Sequence, residues 1–309
     1  MPDGNAEYDI LIITGPTASG KTATAALVAD RLGGEIISAD SRQVYRGMDL
    51  GTGKDYDDYI VGGKRIPFHL IDIAEAGSKY NLFEYRKDFL RVYNDLKSRN
   101  VFPVLCGGSG MYIDSIVSSY SLPEVPPDPA LRAELVKKPM ADLVRILSSY
   151  KRLHNITDID TRKRAVRAIE IETYREAAAF NELSFPRLKY LIAAISTDRE
   201  SRRRRITARL RQRLESGMID EVRDLLAGGI DEEDLIYYGL EYKYITLYLS
   251  GDIDYETMFR KLETAIHQFA KRQMTWFRGM ERRGTIIHWI DGELPADERA
   301  VEILRLLKG

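Results

Sequence analysis

The run Gly15-Pro16-Thr17-Ala18-Ser19-Gly20-Lys21-Thr22 limits what this chain can fold into more than any other feature of it. It is an instance of G-x-x-x-x-G-K-[ST], a loop that works only between a strand that delivers it and a helix that receives it. Both flanks are present. Tyr8 to Thr14 (YDILIIT) is a short run rich in Ile and Leu, as suits a buried strand of a parallel sheet. Thr22 to Leu32 reads as a helix, closed by Gly33-Gly34. In such a loop the glycines let backbone N–H groups turn toward phosphate oxygens, and the helix N-terminus adds its partial positive charge. Lys21 supplies a point charge, and the Thr22 hydroxyl can help hold a magnesium ion (Mg2+). The motif predicts a di- or triphosphate ligand without saying which.

Beyond the loop, strands and helices alternate. Glu35 to Ser38 is a second short strand and His69 to Ile73 (HLIDI) a candidate third. Leu82 to Arg99 has helical periodicity, and Val101 to Cys106 is a strand broken by Gly107-Gly108. This alternation predicts an α/β fold, a P-loop NTPase-like parallel sheet core flanked by helices. The pattern then changes. Leu122 to Pro129 (LPEVPPDP) holds four prolines and reads as a linker. Ala130 to Ala179 carries only helical patterns, and Pro186 ends that block. Tyr190 to Ser196 (YLIAAIS) reads as a strand returning to the sheet; helices follow to Gly279, then a strand at Ile286 to Ile290 and a closing helix. The expected organisation is a core of residues 1–121 and 187–309, interrupted by an inserted all-helical domain over residues 122–186.

Hydrophobic residues at 44% and charged residues at 30% are enough for a packed core under a polar surface. No apolar run approaches the ~20 residues of a membrane helix. Met1 to Tyr8 is polar and acidic, without the basic and apolar regions of a signal peptide. Cys106 is the one cysteine, which excludes an intramolecular disulfide and a cysteine-based zinc site and makes a cytoplasmic location the expectation. The formal net charge of -1 hides local clusters. Arg199 to Arg213 (RESRRRRITARLRQR) holds eight arginines; Arg162, Lys163, Arg164 and Arg167 form a second cluster, and Lys271, Arg272 and Arg278 a third. Such clusters bind polyanions or simply face water as helix surfaces, and both readings stand.

Two further positions carry candidate chemistry. Asp40-Ser41-Arg42-Gln43-Val44-Tyr45 follows the second strand directly, and Ser109 follows the strand ending at Cys106. In a parallel sheet the loops after strand C-terminal ends meet at one crevice, so Asp40 and Ser109 are expected beside the P-loop. A carboxylate and a hydroxyl facing a bound diphosphate form a plausible acid–base pair, although an aspartate there can equally cap a turn. An ATP-using enzyme usually carries an acid after the strand facing its magnesium. Here that strand ends in Gly107-Gly108-Ser109, and Asp72 is only a weaker candidate for the acid.

GPTASGKT, SADSRQVYRGMDLGTGK, CGGSGMYIDSI and AKRQMTWFRG, in this order and spacing, closely resemble the motif series of tRNA dimethylallyltransferases (tRNA isopentenyltransferases), over about Ile10 to Ile290. The resemblance implies that the P-loop holds the diphosphate of dimethylallyl diphosphate. It implies that Asp40 is the general base on an adenine amino group and that Ser109 sits near the leaving diphosphate, with Ser41, Arg42 and Gln43 around the substrate. It further implies a tRNA partner, held at the anticodon stem-loop. Arg132, Lys163, Arg164 and Arg167 of the insertion would contact it, with Tyr238 to Lys243 and with Lys271, Arg272, Gln273, Trp276 and Arg278. The product would be N6-(dimethylallyl)adenosine at adenosine-37, made by a monomer with magnesium.

The chemistry of the residues agrees with that reading. Diphosphate leaves well only when its charge is neutralised, and the exocyclic amine of adenine needs a base because its lone pair is delocalised. The adenine must also leave its stack to reach Asp40. Arg272 and Trp276, four apart on a helix, suit contact with a single-stranded loop, while Trp276 could equally belong to a core with Leu262, Ile266 and Phe269. Three positions depart from the family pattern: Ser109 stands for a threonine, His267 for an arginine before the KRQ segment, and Glu241 for a frequent glycine. Arg202 to Arg205 carry no assigned role; a structural role and general contact with RNA backbone both fit. The rival readings are a P-loop small-molecule or nucleotide kinase and a non-catalytic, ATPase-like RNA binder.

Overall fold

The computed structural model describes residues 7–118, 125–153, 158–177 and 185–308. In chain order the first stretch runs β1 (Ile10–Thr14), α1 (Lys21–Leu32), β2 (Glu35–Ser38), β3 (Ile60–Val61), β4 (Lys64–Arg65), β5 (Phe68–His69), α2 (Leu82–Ser98), β6 (Pro103–Gly107) and α3 (Gly110–Val117). Then come α4 (Pro129–Leu135), α5 (Met140–Tyr150) and α6 (Arg162–Ala177). The last stretch is β7 (Tyr190–Ser196), α7 (Arg199–Glu215), α8 (Met218–Ala227), α9 (Glu232–Tyr238), α10 (Leu240–Leu249), α11 (Tyr255–Arg282), β8 (His288–Asp291) and α12 (Ala296–Lys308).

Six strands form one sheet in the order β5-β2-β6-β1-β7-β8, parallel throughout. Ile12 pairs with Leu105 on one side and Ile192 on the other, so β1 lies at the centre and delivers the P-loop from the middle of the sheet. Every residue of β1 is buried, as its unbroken apolar run requires. Ala25, Ala26 and Ala29 let α1 pack closely on that sheet face beside Leu11, Ile13, Val104 and Ile303. This is the α/β fold expected from the strand–helix alternation.

The elements differ from the expectations at their ends. The third strand is confined to Phe68–His69, not His69–Ile73. Leu70 and Asp72 have positive φ (62° and 56°), and a strand ladder cannot continue through left-handed residues. The last strand starts at His288, leaving Ile286 72% exposed.

The chain divides into two compact units, Met1–Ser119 with Pro186–Gly309, and Tyr120–Phe185. In the second, α5 and α6 close on a core of Leu143, Leu147, Ala165 and Ile169. Residues 122–124 of the proline-rich linker and 154–157 and 178–179 of the helical block lie outside the described residues. In the first unit a second core joins α7 through α11 to the loop after β2, through Val44, Tyr45, Met48, Tyr238 and Tyr242. Among the described residues no helix is long and apolar enough to cross a membrane.

Candidate active site

A cavity of about 920 Å3 opens above the C-terminal ends of β1, β2 and β6, a size suited to a small-molecule ligand. Its floor is the P-loop. Helix α1 starts at Lys21 with no side-chain cap at Gly20, which leaves the first-turn N–H groups to an incoming anion. Ala18 sits in the left-handed region at φ 61°, an unfavourable conformation for alanine that surrounding contacts must hold. Two long-range hydrogen bonds do so. Arg299 Nη1 of α12 donates to the Ser19 carbonyl (2.9 Å), and the Thr17 N–H donates to Gln273 Oε1 of α11 (2.9 Å).

Asp40 and Ser109 come together because the β2–β6 ladder runs on into its loops. The Ala39 N–H donates to the Cys106 carbonyl (2.7 Å), and the Ser109 N–H donates to the Ala39 carbonyl (3.1 Å). Ser109 Oγ then accepts the Ser41 N–H (3.0 Å) and donates to Ser41 Oγ (3.3 Å). Asp40 Oδ1 accepts the Arg42 N–H (3.0 Å), a local turn that fixes the carboxylate. Its Oδ2 takes no hydrogen bond from the described residues, so turn-capping uses one oxygen and leaves the other to the cavity. Gln43 donates to the Gly53 carbonyl (3.0 Å), and the Arg42 guanidinium lies 5.6 Å from the Tyr237 ring centre.

Lys21 is half-buried on the cavity floor, and desolvation there holds its ammonium below the ordinary lysine value of 10.5, with Asp40 pulling the other way. Burial pushes the Cys106 thiol up to about 12, so it stays neutral under the P-loop. Across the cavity Arg209 and Arg213 of α7 grip Asp55. Burial would raise the Asp55 carboxyl, but the two guanidinium groups hold it below the usual range. Burial lifts Glu241, on the same wall, above the usual carboxylate range.

The KRQ-x-TW segment is the far wall. Gln273 Nε2 donates to the Gly108 carbonyl (2.9 Å), so this one amide joins the P-loop to the loop that carries Ser109. A Cβ at Gly108 would stand 2.5 Å from Gln273 Nε2, and one at Gly110 2.4 Å from Trp276 Cδ1. Gln273 and Trp276 therefore demand the two glycines of GGSG that they cover. Trp276 is 38% exposed on the cavity edge, neither core nor free surface. Lys271, Arg272 and Arg278 are exposed on α11.

Other expected contacts are already engaged. Tyr238 and Tyr242 are 1% exposed. Their rings pack in the core and their hydroxyls donate to the Ser78 carbonyl and to Glu221, so the expectation that Tyr238 to Lys243 form an RNA-facing row is corrected at these two residues. In the helical unit Arg132 donates twice to Glu170 (2.8 Å each), and Arg167 donates to Glu170 and to the Val125 carbonyl. The Glu170 side chain is 1% exposed, so both arginines neutralise a buried carboxylate. Arg164 pairs with Asp160 at the surface, and Lys163 is exposed.

Asp72 does not act as the missing acid: Lys54 and Tyr56 donate to its two oxygens. Among the described residues no group of three or more His, Cys, Asp or Glu could hold a metal ion. Thr22, hydrogen-bonded to Cys106, with Asp40 and Asp58 in the same cavity, offers only oxygen donors. That set fits a magnesium ion that keeps waters and takes its other ligands from a diphosphate.

Arg299 and the role of Gln273 as a strut were not expected from the sequence. Arg299 lies 280 residues from its P-loop partner and no local pattern marks it.

A family model described as IPP transferase matches residues 43–280. The chain is 58% identical over 308 residues to tRNA dimethylallyltransferase 2 of Bacteroides fragilis, covering 100% of this chain and 99% of that one. It is 49% identical over 297 residues to tRNA dimethylallyltransferase 2 of Citrifermentans bemidjiense, covering 96% and 95%. Among solved structures, the tRNA isopentenylpyrophosphate transferase of Bacillus halodurans superposes with a TM-score of 0.70 at 28% identity, over 98% of this chain and 96% of that one. A eukaryotic dimethylallyltransferase acting on tRNA shares the fold, with a TM-score of 0.75 at 18% identity over 92% of this chain and 73% of that one.

Proposed function

The chain belongs to the IPP transferase family, and on that premise we propose that it transfers the dimethylallyl group of dimethylallyl diphosphate to the N6 amine of adenosine-37 in tRNA, next to the anticodon. The observation that carries this reading is Asp40, on a turn that Ser109 holds through Ser41, in one cavity with a P-loop whose neighbouring strand β6 ends without an acid. A phosphoryl-transfer enzyme places a carboxylate there for its magnesium. A prenyltransferase needs instead a base beside an anion cradle.

The diphosphate sits on the α1 N-terminus with Lys21, which neutralise the leaving group. The N6 lone pair attacks the allylic carbon, the carbon–oxygen bond breaks toward diphosphate, and the N6 proton passes to Asp40. Ser109 positions the Asp40–Ser41 turn through the Ser41 N–H. A magnesium ion, held by Thr22 and a cavity carboxylate, supplies further charge neutralisation of the diphosphate when bound. Lys163 and Arg164 of the helical unit are proposed contacts of the anticodon stem-loop, and so are Lys271, Arg272, Trp276 and Arg278 of α11, while Arg132 and Arg167 hold Glu170 inside the helical unit. A cytoplasmic monomer fits this role.

Purified protein is expected to prenylate an unmodified tRNA bearing adenine 3′ of the anticodon, with no comparable turnover of ATP. Product detection by mass spectrometry decides it: ATP hydrolysis without prenyl transfer supports the kinase reading.

Ser109→Thr keeps the hydroxyl and is expected within a few-fold of wild-type kcat. Ser109→Ala removes the acceptor of the Ser41 N–H and is expected to lose tenfold or more, about the 1.5 kcal/mol of one good hydrogen bond. Equal kcat for Ala and wild type removes Ser109 from the mechanism.

A further inference from the structure

Buried charges in this protein meet opposite ones. Lys54 has Asp49 and Asp72, Glu170 has Arg132 and Arg167, and Asp114 has Arg283. Arg299 of α12 does not. It is 6% exposed, and no carboxylate pairs with it among the described residues. Its Nη1 donates to the Ser19 carbonyl (2.9 Å), and its buried Nε donates to nothing among the described residues. Both terminal nitrogens lie 3.0 Å from where a Cβ on Gly20 would stand, so the guanidinium is pressed against the P-loop. Ser19 and Gly20 line the cavity and Arg299 does not, which puts its charge behind the loop, on the side away from a ligand.

The surroundings oppose a cation there. Burial strips its hydration. Gly20 is the N-cap of α1, and a helix N-terminus is itself positive. Arg205, which already has Glu293, repels it; burial and then Arg205 hold the guanidinium below the ordinary arginine value. A neutral side chain could give the Ser19 carbonyl its hydrogen bond, so the bond does not require the charge. What the charge lacks is an anion, and the P-loop presents its N–H groups to one on the opposite face. We propose that Arg299 is a built-in counter-charge for the diphosphate of the prenyl donor, a positioning residue that fixes the Ser19 carbonyl and acts across Gly20 on the anion seated at the α1 N-terminus. With protein rather than water between them, a unit charge keeps much of its reach and is little screened by salt. The proposal rests on the P-loop being the seat of the donor's diphosphate. Lys21 then neutralises that group from one side of the loop and Arg299 from the other.

The test uses the full-length protein with magnesium, inorganic diphosphate as the probe in calorimetry, and the prenyl donor with tRNA in kinetics. R299Q removes the charge and keeps an amide donor, whereas R299K keeps the charge. R299Q is expected to weaken diphosphate binding about tenfold and to raise the donor KM by a similar factor, with a smaller change in kcat. R299K is expected to stay within a few-fold of wild type. A loop that has only lost a strut responds alike to both substitutions and loses kcat as well, and that pattern overturns the proposal. So does R299Q with wild-type diphosphate affinity. The wild-type protein supplies a second measurement. The Arg299 Nε–H, shielded from water, is assigned by NMR through bonds from the α12 backbone, and its signal is expected to shift when inorganic diphosphate binds. A signal that stays in place while diphosphate binds overturns the counter-charge alone. A wild type that binds no diphosphate removes the donor site, and the proposed function with it.

Discussion

Asp40→Asn lowers kcat by roughly 10²- to 10⁴-fold, the usual cost of losing a general base, and leaves tRNA affinity within about twofold of wild type. Asn keeps the size of the side chain and its carbonyl oxygen, so the Arg42 N–H retains an acceptor and the turn after β2 survives. What disappears is the basicity of the second oxygen, which takes no hydrogen bond from the described residues and faces the cavity. A base acts on the chemical step, so the loss falls on kcat rather than on binding of either substrate. Single-turnover prenylation with tRNA affinity measured in parallel checks it. If turnover stays within a few-fold of wild type, Asp40 only shapes the turn. If affinity falls with turnover, it positions the acceptor.

The parts of this site that a reader of the sequence can find are those made by one short segment. The P-loop, the DSRQVY turn and GGSG each carry their geometry in consecutive residues, and the parallel sheet brings their loops to one edge. The truncated third strand was hidden because the left-handed backbone at Leu70 and Asp72 is imposed by tertiary contacts: the Asp72 N–H donates to the Gln43 carbonyl, and Lys54 and Tyr56 hold its carboxylate. The same limit applies to side chains that join distant segments. Gln273 looked like a contact for RNA, yet both ends of its buried amide are engaged, by the Thr17 N–H and the Gly108 carbonyl. Arg132 and Arg167 looked like an RNA-facing cluster, yet Glu170, a buried acid inside an amphipathic helix, claims both. Charge runs show that arginines are present; only the helix faces and their partners show which are already neutralised. On α7, Arg205 meets Glu293, and Arg209 and Arg213 meet Asp55, which the spacing of the arginine run does not show.

Lys21→Met is expected to lower kcat/KM for the prenyl donor by roughly 10²- to 10³-fold, the magnitude of losing one preorganised charge at a leaving group, while raising the melting temperature of the ligand-free protein. The two effects have one cause. Lys21 is half-buried, and its desolvation outweighs the attraction of nearby groups, so its folded-state proton affinity lies below the ordinary value of 10.5. The folded protein thus holds a cation it would rather release, and only an arriving diphosphate makes that charge favourable. Met keeps the length and the apolar stem without the charge. The pH dependence follows with a definite sign. Unfolded chain binds the Lys21 proton more tightly than folded chain, so wild-type stability rises with pH from the depressed folded value up to 10.5, where the unfolded lysine also becomes neutral. The variant lacks this rise. Its advantage in melting temperature is therefore largest near neutrality and shrinks as pH climbs toward the ordinary lysine value. Thermal melts of both proteins across the alkaline range, beside donor titrations at neutral pH, test both halves. A variant with wild-type donor affinity shows that Lys21 is not the counter-charge of the diphosphate, and one that melts lower than wild type at neutral pH shows that it is not a strained cation waiting for it.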